Sequence, residues 1–317
     1  MKILFIGLGS IGQRHLRNLL TLGNFEYYAY RMRNLVLPEE FQDVKITVIK
    51  DLSELERIKP QLCILAAPPI VQQEVLPIIV KNSIDFFVEK PIGIDLKVLQ
   101  NLLPIVKEKE IISMVGYNLR YHPIHKRLSQ IIDQGLLGNI SSIRSVVGQY
   151  LPDWHPQEDY RFGYSANKNL GGGAVLDLIH EIDFVYSLFG KVNDIKSFSS
   201  KTSHLEIDVE DVAEIIMKFA SGILGSVHVD YVNRRGQRDG MILGDEASVK
   251  YDLLKAELTI MYKNGIEEIE IFDFVRNKMY RNELSDLLNA ISTRVELKNN
   301  FAEGLEVLSY ANRALNE

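Results

Sequence analysis

The side chains of this sequence best suited to moving a proton are a lysine and a histidine. Lys90 closes the apolar run in FFVEKPIG (86–93). At the carboxyl end of a strand it would face a ligand, where desolvation lowers a lysine's pKa toward the range useful for acid–base work. His180 lies three residues after Asp177 in NLGGGAVLDLIHEIDFVYSLFG (169–190), a spacing that puts both side chains on one side of a helix. A carboxylate beside an imidazole fixes its tautomer and stabilises its charged form. A surface Asp–His pair and a pair of metal ligands are the alternatives. With neither a cysteine partner nor a His-x-x-x-His spacing, no metal site is expected.

The opening MKILFIGLGSIGQRH supplies a second kind of chemistry. Gly7, Gly9 and Gly12 follow an apolar run of strand length and lead into a helical pattern through Ile11, Leu16, Leu19 and Leu20. In that context Gly-x-Gly-x-x-Gly cradles a dinucleotide. The first glycine permits a tight turn, the second lets backbone approach a pyrophosphate, and the third lets helix and strand pack closely. Ser10 and Ile11 stand at the helix N-terminus, whose unpaired N–H groups and dipole favour phosphate. A structural glycine turn is the alternative. After the second strand the chain reads YAYRMRN, with Arg31 and Arg33 and no carboxylate. Two guanidinium groups suit a 2′-phosphate, so NADP is expected in preference to NAD.

The segment YLPDWHPQEDYRFGYSANKN (150–169) is rich in aromatic and basic groups and poor in strand periodicity. Trp154 and Tyr160 suit stacking on the C–H face of a ligand ring; His155, Arg161 and Lys168 suit hydroxyls, a phosphate or a carboxylate. The alternative is an ordered surface loop with an aromatic anchor. His228, Tyr231, Arg234 and Arg238 add further plausible contacts to a polar, anionic ligand.

These groups need elements to hold them. Apolar runs at 2–6, 26–30, 46–50, 61–67, 85–89 and 111–118 alternate with helical patterns, the mark of a parallel sheet covered on both faces. Asp51 and Glu54 form a capping pair for a short helix, and Pro77 and Pro104 should kink or split theirs. From about residue 120 a helix over 121–134, a strand over 140–151 and a helix over 173–189 precede successive strands at 193–202, 207–219, 223–233, 239–251 and 266–274, then helices near 281–293 and 301–315. The expected fold class is α/β: an N-terminal doubly wound parallel sheet over 1–118, then a domain over 119–317 with a large open, mostly antiparallel sheet. The last helices are free to pack back on the first domain.

Composition bounds the function. A chain of 317 residues exceeds most single cores, and 46% hydrophobic with 25% charged residues is ordinary for a globular protein. A net charge of −6 without a basic block argues against nucleic acid as partner. The single cysteine, Cys63, lies in an apolar run and reads as core. No apolar stretch of about 18 residues occurs and no signal peptide is legible, so a cytoplasmic location without membrane contact is expected. No internal repeat or low-complexity linker is found.

In combination, GLGSIGQRH, EKP at 89–91, GYNLRYHP at 116–123 and GGGAVLDLIHEID at 171–183 resemble the Gfo/Idh/MocA oxidoreductases, and GDEASVKYD (244–252) resembles that family's returning strand. The resemblance implies a Rossmann domain, a second domain whose open sheet pairs subunits into a homodimer or homotetramer, and hydride transfer at a carbinol carbon of a sugar, sugar derivative or polyol. It implies Lys90 as the active-site lysine, His180 as the acid/base and Asp177 as its neighbour. Asn118 and Arg120 fall in the segment that lies beneath nicotinamide and substrate. The expected cofactor contacts are thus Gly7, Gly9, Ser10, Ile11, Gly12, Arg31, Arg33, Ala67, Pro68, Glu89, Lys90 and Asn118; Arg120 joins the 150–169 residues as a substrate contact. Two departures stand out: only two residues separate Asp177 from His180, and Gln72 or Gln73 stands where relatives often carry a histidine. The family also admits a glycoside hydrolase with retained NAD, and an imine, biliverdin or diol substrate in place of the sugar; a non-enzymatic dinucleotide sensor is a further alternative.

Overall fold

The computed structural model describes residues 1–30, 37–154 and 157–316, in two compact units: 1–116 with 280–305, and 117–279 with 306–317. Relative to the expected boundary after residue 118, the first division falls two residues earlier, and the stretch 280–305 returns to the first unit.

In the first unit, β1 (Lys2–Ile6), β2 (Glu26–Tyr30), β3 (Ile46–Ile49), β4 (Leu62–Leu65), β5 (Asp85–Val88) and β6 (Ser113–Val115) form one parallel sheet in the order β3-β2-β1-β4-β5-β6. β4 and β5 are buried at every residue, as strands covered on both faces must be. The order reverses between β1 and β4, and the carboxyl ends of strands at such a switch point are where an open α/β sheet binds its ligand. Leu284, Leu287 and Ala290 of the returning segment pack into one core with Ile3, Phe5, Leu16 and Leu19. Cys63 is fully buried, which pushes its thiol well above the ordinary range.

In the second unit, β7 (Ile140–Gly148), β8 (Val192–Ser200), β9 (Val212–Phe219), β10 (Leu224–Asp230), β11 (Gln237–Gly244), β12 (Ala247–Asp252), β13 (Glu257–Tyr262) and β14 (Glu267–Ile271) make a sheet in the order β14-β13-β12-β11-β7-β10-β9-β8. The β7–β10 pair is parallel and the other pairs antiparallel. In β9, Ala213, Ile215, Met217 and Phe219 are fully buried while Glu214, Ile216 and Lys218 are exposed. That alternation fits a sheet with one covered face. The helix 180–189 packs on β7 and β10.

Several expected elements come out differently. The single strand over 239–251 is the hairpin β11–β12, turning at Asp245 and Glu246. Buried Ile242 has even parity, and buried Ala247, Val249 and Tyr251 have odd parity, so an unbroken period of two cannot serve both. β13, unforeseen, alternates buried Leu258 and Ile260 with less buried neighbours. Pro77 lies inside an unbroken helix over Pro69–Lys81, whereas Pro104 stands in the first turn of a separate helix over Leu103–Glu108, where its missing N–H costs nothing. The expected helix over 173–189 is two, Ala174–Asp177 and His180–Phe189. The Asp51 side chain accepts the Ser53 amide, and Glu54 reaches back to the amide of Lys50.

Candidate active site

The glycine turn is built as its spacing requires. Gly7 has φ +90°, and a Cβ there would lie 2.6 Å from the Ala66 carbonyl oxygen. At Gly12 a Cβ would lie 2.4 Å from the Gly7 oxygen, so the helix over Ser10–Leu20 can sit on the turn only without a side chain. Gly9 differs: a Cβ would meet nothing within 4 Å. The helix begins with no side-chain cap and no acidic residue in its first turn, leaving its amides to an outside acceptor. Open space at Gly9 and uncapped N–H groups behind it fit a dinucleotide pyrophosphate. Ala67 and Pro68 follow β4 at the same edge of the sheet. Arg31, Arg33 and His155 lie outside the described residues.

Lys90 follows β5. It is partly exposed, while residues 84–89 before it and 91–93 after it are all buried. The Lys90–Pro91 peptide is cis. The buried carboxylate of Glu89, an expected cofactor contact, meets His15 Nε2 at 2.7 Å. Gln72 and Gln73 hold backbone: the Gln72 amide donates to the carbonyls of Glu89 and Pro91, and Gln73 Oε1 accepts from the amides of Ile94 and Asp95.

His180 presents the same pattern in the second unit. From 171 through 186 every residue is buried except His180. It opens the helix over 180–189, with its ring 6.3 Å from that of Tyr117 in an edge-to-face arrangement. Asp177 ends the preceding short helix and is buried. It is not simply the next turn of one helix face, as expected, because the helix breaks at Leu178 (φ −94°, ψ 22°). Its carboxylate accepts from three hydroxyls, those of Tyr164, Ser165 (2.6 Å) and Tyr231 (3.2 Å). Burial, then the Asp177 charge, pushes the Tyr231 phenol well above its ordinary range, so it stays a donor.

Much of the expected substrate-binding set is engaged within the fold. Arg120 forms a buried two-pronged ion pair with Asp183, at 2.6 Å for the shortest contact, and Arg238 a similar pair with Glu181 at 2.6 and 2.7 Å. Arg161 is clamped by Asp159 at 2.6 Å and reaches Glu206 at 3.3 Å. His228 lies between Glu214 and Asp230, at 2.7 and 3.0 Å, and their hydrogen bonds raise its pKa. The Arg234 guanidinium stacks 3.6 Å over Tyr150. The Tyr160 hydroxyl accepts the Glu206 amide, and the Trp154 ring stands edge-on to Tyr231. Lys168 is exposed, and Asn118 is buried in a short helix over 118–121 that packs on the helix 180–189.

Sequence reasoning missed Glu210. Its Oε1 accepts the Val175 amide at 3.0 Å, and Gly173, at φ +113°, leaves room for the carboxylate, which a Cβ would strike at 2.4 Å. Burial raises the Glu210 pKa. The signal was the third glycine of GGG, a position that only glycine fills at that φ.

A family model described as "Oxidoreductase family, NAD-binding Rossmann fold" matches residues 1–117, and one described as "GFO/IDH/MocA C-terminal domain" matches 125–250. The chain belongs to the GFO/IDH/MocA oxidoreductase family. Among relatives, the myo-inositol 2-dehydrogenase of Thermotoga maritima is 27% identical over 72% of this chain and 67% of its own length. The levoglucosan dehydrogenase of Pseudarthrobacter phenanthrenivorans is 27% identical over 52% of this chain and 48% of its own. The chain thus spans two thirds of the first relative and about half of the second. Among solved structures, levoglucosan dehydrogenase in complex with NADH superposes with a TM-score of 0.89 at 18% identity, covering 100% of this chain and 96% of that one. GenD2 from gentamicin A biosynthesis in complex with NAD gives 0.84 at 18%, covering 100% and 93%. The doubly wound sheet followed by an open sheet is therefore the family's fold. Among the described residues no helix is long and apolar enough to cross a membrane, and no group of three His, Cys, Asp or Glu side chains could hold a metal ion.

Proposed function

We propose that this GFO/IDH/MocA protein is an NAD(P)-dependent dehydrogenase or reductase acting on a carbinol carbon of a sugar, sugar derivative or polyol. Family membership supports the reaction class, and the inositol and levoglucosan dehydrogenases among its relatives support the substrate class. The bound nicotinamide supplies the hydride acceptor or donor. The chain's part is to orient the carbon, exclude water and handle the hydroxyl proton. His180 takes or gives that proton, and Lys90 stabilises charge developing on the oxygen. The observation that carries this reading is the burial pattern: Lys90 and His180 are each the one partly exposed residue in an otherwise buried stretch. A partly exposed ionisable side chain set in such a stretch is held in place by its buried neighbours.

Asp177 serves His180 by fixing the turn from which it emerges. NADP is the preferred cofactor on the strength of Arg31 and Arg33, two guanidinium groups without a neighbouring carboxylate. The chain pairs through its open sheet into a dimer or tetramer. Phe198, Ile216 and Leu224, on the neighbouring strands β8, β9 and β10, are exposed and suit such a contact; light scattering after gel filtration reads the mass.

The test of function is a fluorescence titration with NADPH and NADH, followed by a panel of sugars, polyols and nucleotide sugars read by cofactor absorbance. Binding of either cofactor with oxidation or reduction of a panel member is expected. Turnover without net absorbance change would replace the dehydrogenase by a hydrolase with retained NAD, and a tenfold preference for NADH would overturn the NADP assignment.

A further inference from the structure

The lysine's backbone is gripped from two sides by residues outside the proton-handling set. On one side, His15 Nε2 meets Glu89 Oε1 at 2.7 Å, and the other oxygen of that carboxylate accepts the Lys90 amide at 3.3 Å. On the other, the Gln72 amide donates to the carbonyls of Glu89 and Pro91, the residues flanking Lys90, each at 2.9 Å. His15 and Gln72 are completely buried. The His15 ring is wedged against Phe87, 4.7 Å between centroids, and Tyr280, 6.1 Å, both edge-on. Its Nδ1 has no hydrogen-bond partner among the described residues. The one hydrogen bond described for the ring is therefore the contact of Nε2 with the carboxylate.

Burying a carboxyl–imidazole pair is an expensive way to fill a core, since apolar groups would do so without desolvating polar atoms. The pair's placement explains it. His15 lies on the same helix as the glycine turn, and Glu89 is bonded directly to Lys90 in the chain. We propose that His15, Glu89 and Gln72 are positioning residues for Lys90. Through His15, the helix that receives the dinucleotide also fixes where the lysine stands. This rests on the reading of Lys90 as a proton-handling group.

The test is a double-mutant cycle between His15→Leu and Lys90→Met on the full chain, with the conservative His15→Gln, whose amide nitrogen replaces Nε2. With the substrate found in the panel, His15→Leu lowers kcat about tenfold while KM and NADPH affinity change less than threefold. His15→Gln regains most of that loss, and in the Lys90→Met background His15→Leu lowers kcat by less than a further twofold. Independently of any substrate, the rate at which acetic anhydride labels Lys90, mapped against Lys109, changes at least threefold in His15→Leu and reverts in His15→Gln. Equal fold losses in both backgrounds, a loss in KM alone, or unchanged kcat and labelling in folded His15→Leu would overturn the proposal. Full activity of Lys90→Met would instead overturn the proposed function. Should His15→Leu fail to fold, Glu89→Gln, which keeps size and removes charge, carries the same cycle and labelling.

Discussion

The glycine turn of the first unit and the charged groups of the second answer differently to the same kind of sequence reading. At Gly7, Gly9 and Gly12 the chemistry belongs to the backbone, and the reasons for glycine are steric: a positive φ, a clash with Ala66, a clash with Gly7, and open space. In the second unit Arg120, Arg161 and Arg238 look from their type like anion binders, yet each meets an acidic side chain of the same unit. A guanidinium binds whichever carboxylate the fold brings near, so residue type alone does not tell an internal partner from a ligand.

That difference can be broken most forcefully at the two partly exposed side chains, Lys90 and His180. Lys90→Met and His180→Ala should each cut turnover about 100-fold or more with dinucleotide affinity largely kept, as read by steady-state kinetics beside fluorescence titration. Unchanged rates in both would put these residues with the internal pairs. Next in size, Glu181→Ala should cost about 1–3 kcal/mol in urea unfolding, because the buried carboxylate's two hydrogen bonds to the partly exposed Arg238 are lost. A loss under 1 kcal/mol would show that the guanidinium has somewhere else to go. Within the turn, Gly9→Ala should leave the melting temperature nearly unchanged while weakening NADPH about tenfold, whereas Gly7→Ala should lower the melting temperature, its φ being closed to alanine. Equal behaviour of the two would undo the steric distinction. Smallest, Arg161→Ala should leave the urea unfolding midpoint essentially unchanged, since its ion pairs are exposed.

Acid should separate buried histidines from the half-exposed one. Burial lowers His122 to about 4 and His125 to about 3, so between those values and the ordinary 6.5 the unfolded chain binds protons that the folded chain refuses. Stability should fall as pH drops through that window. His228 acts in the opposite sense: its raised pKa adds stability below 6.5 that is lost as pH rises through the folded value. Thermal melts from pH 7 to 4 check the balance, and His122→Asn should flatten the acid limb, since its ring caps the helix 123–133 through Ile124 and faces the Leu253 carbonyl.

What the sequence determined was whatever depends on local pattern. Apolar runs alternating with helices specified the parallel sheet, successive period-two runs specified the second sheet, and the glycines specified the cradle because only their absent side chains permit it. Lys90 and His180 were legible as candidates from strand end and motif, while the break at Leu178 was obscured by apolar periodicity running across it and the turn at Asp245 showed only as a change of parity between Ile242 and Ala247. Tertiary structure alone decided which polar groups are spent inside the fold. The His15–Glu89 contact spans 74 positions and the Arg120–Asp183 pair 63, distances over which residue spacing carries no information. Those pairings exist because buried charge must find a partner wherever packing brings one.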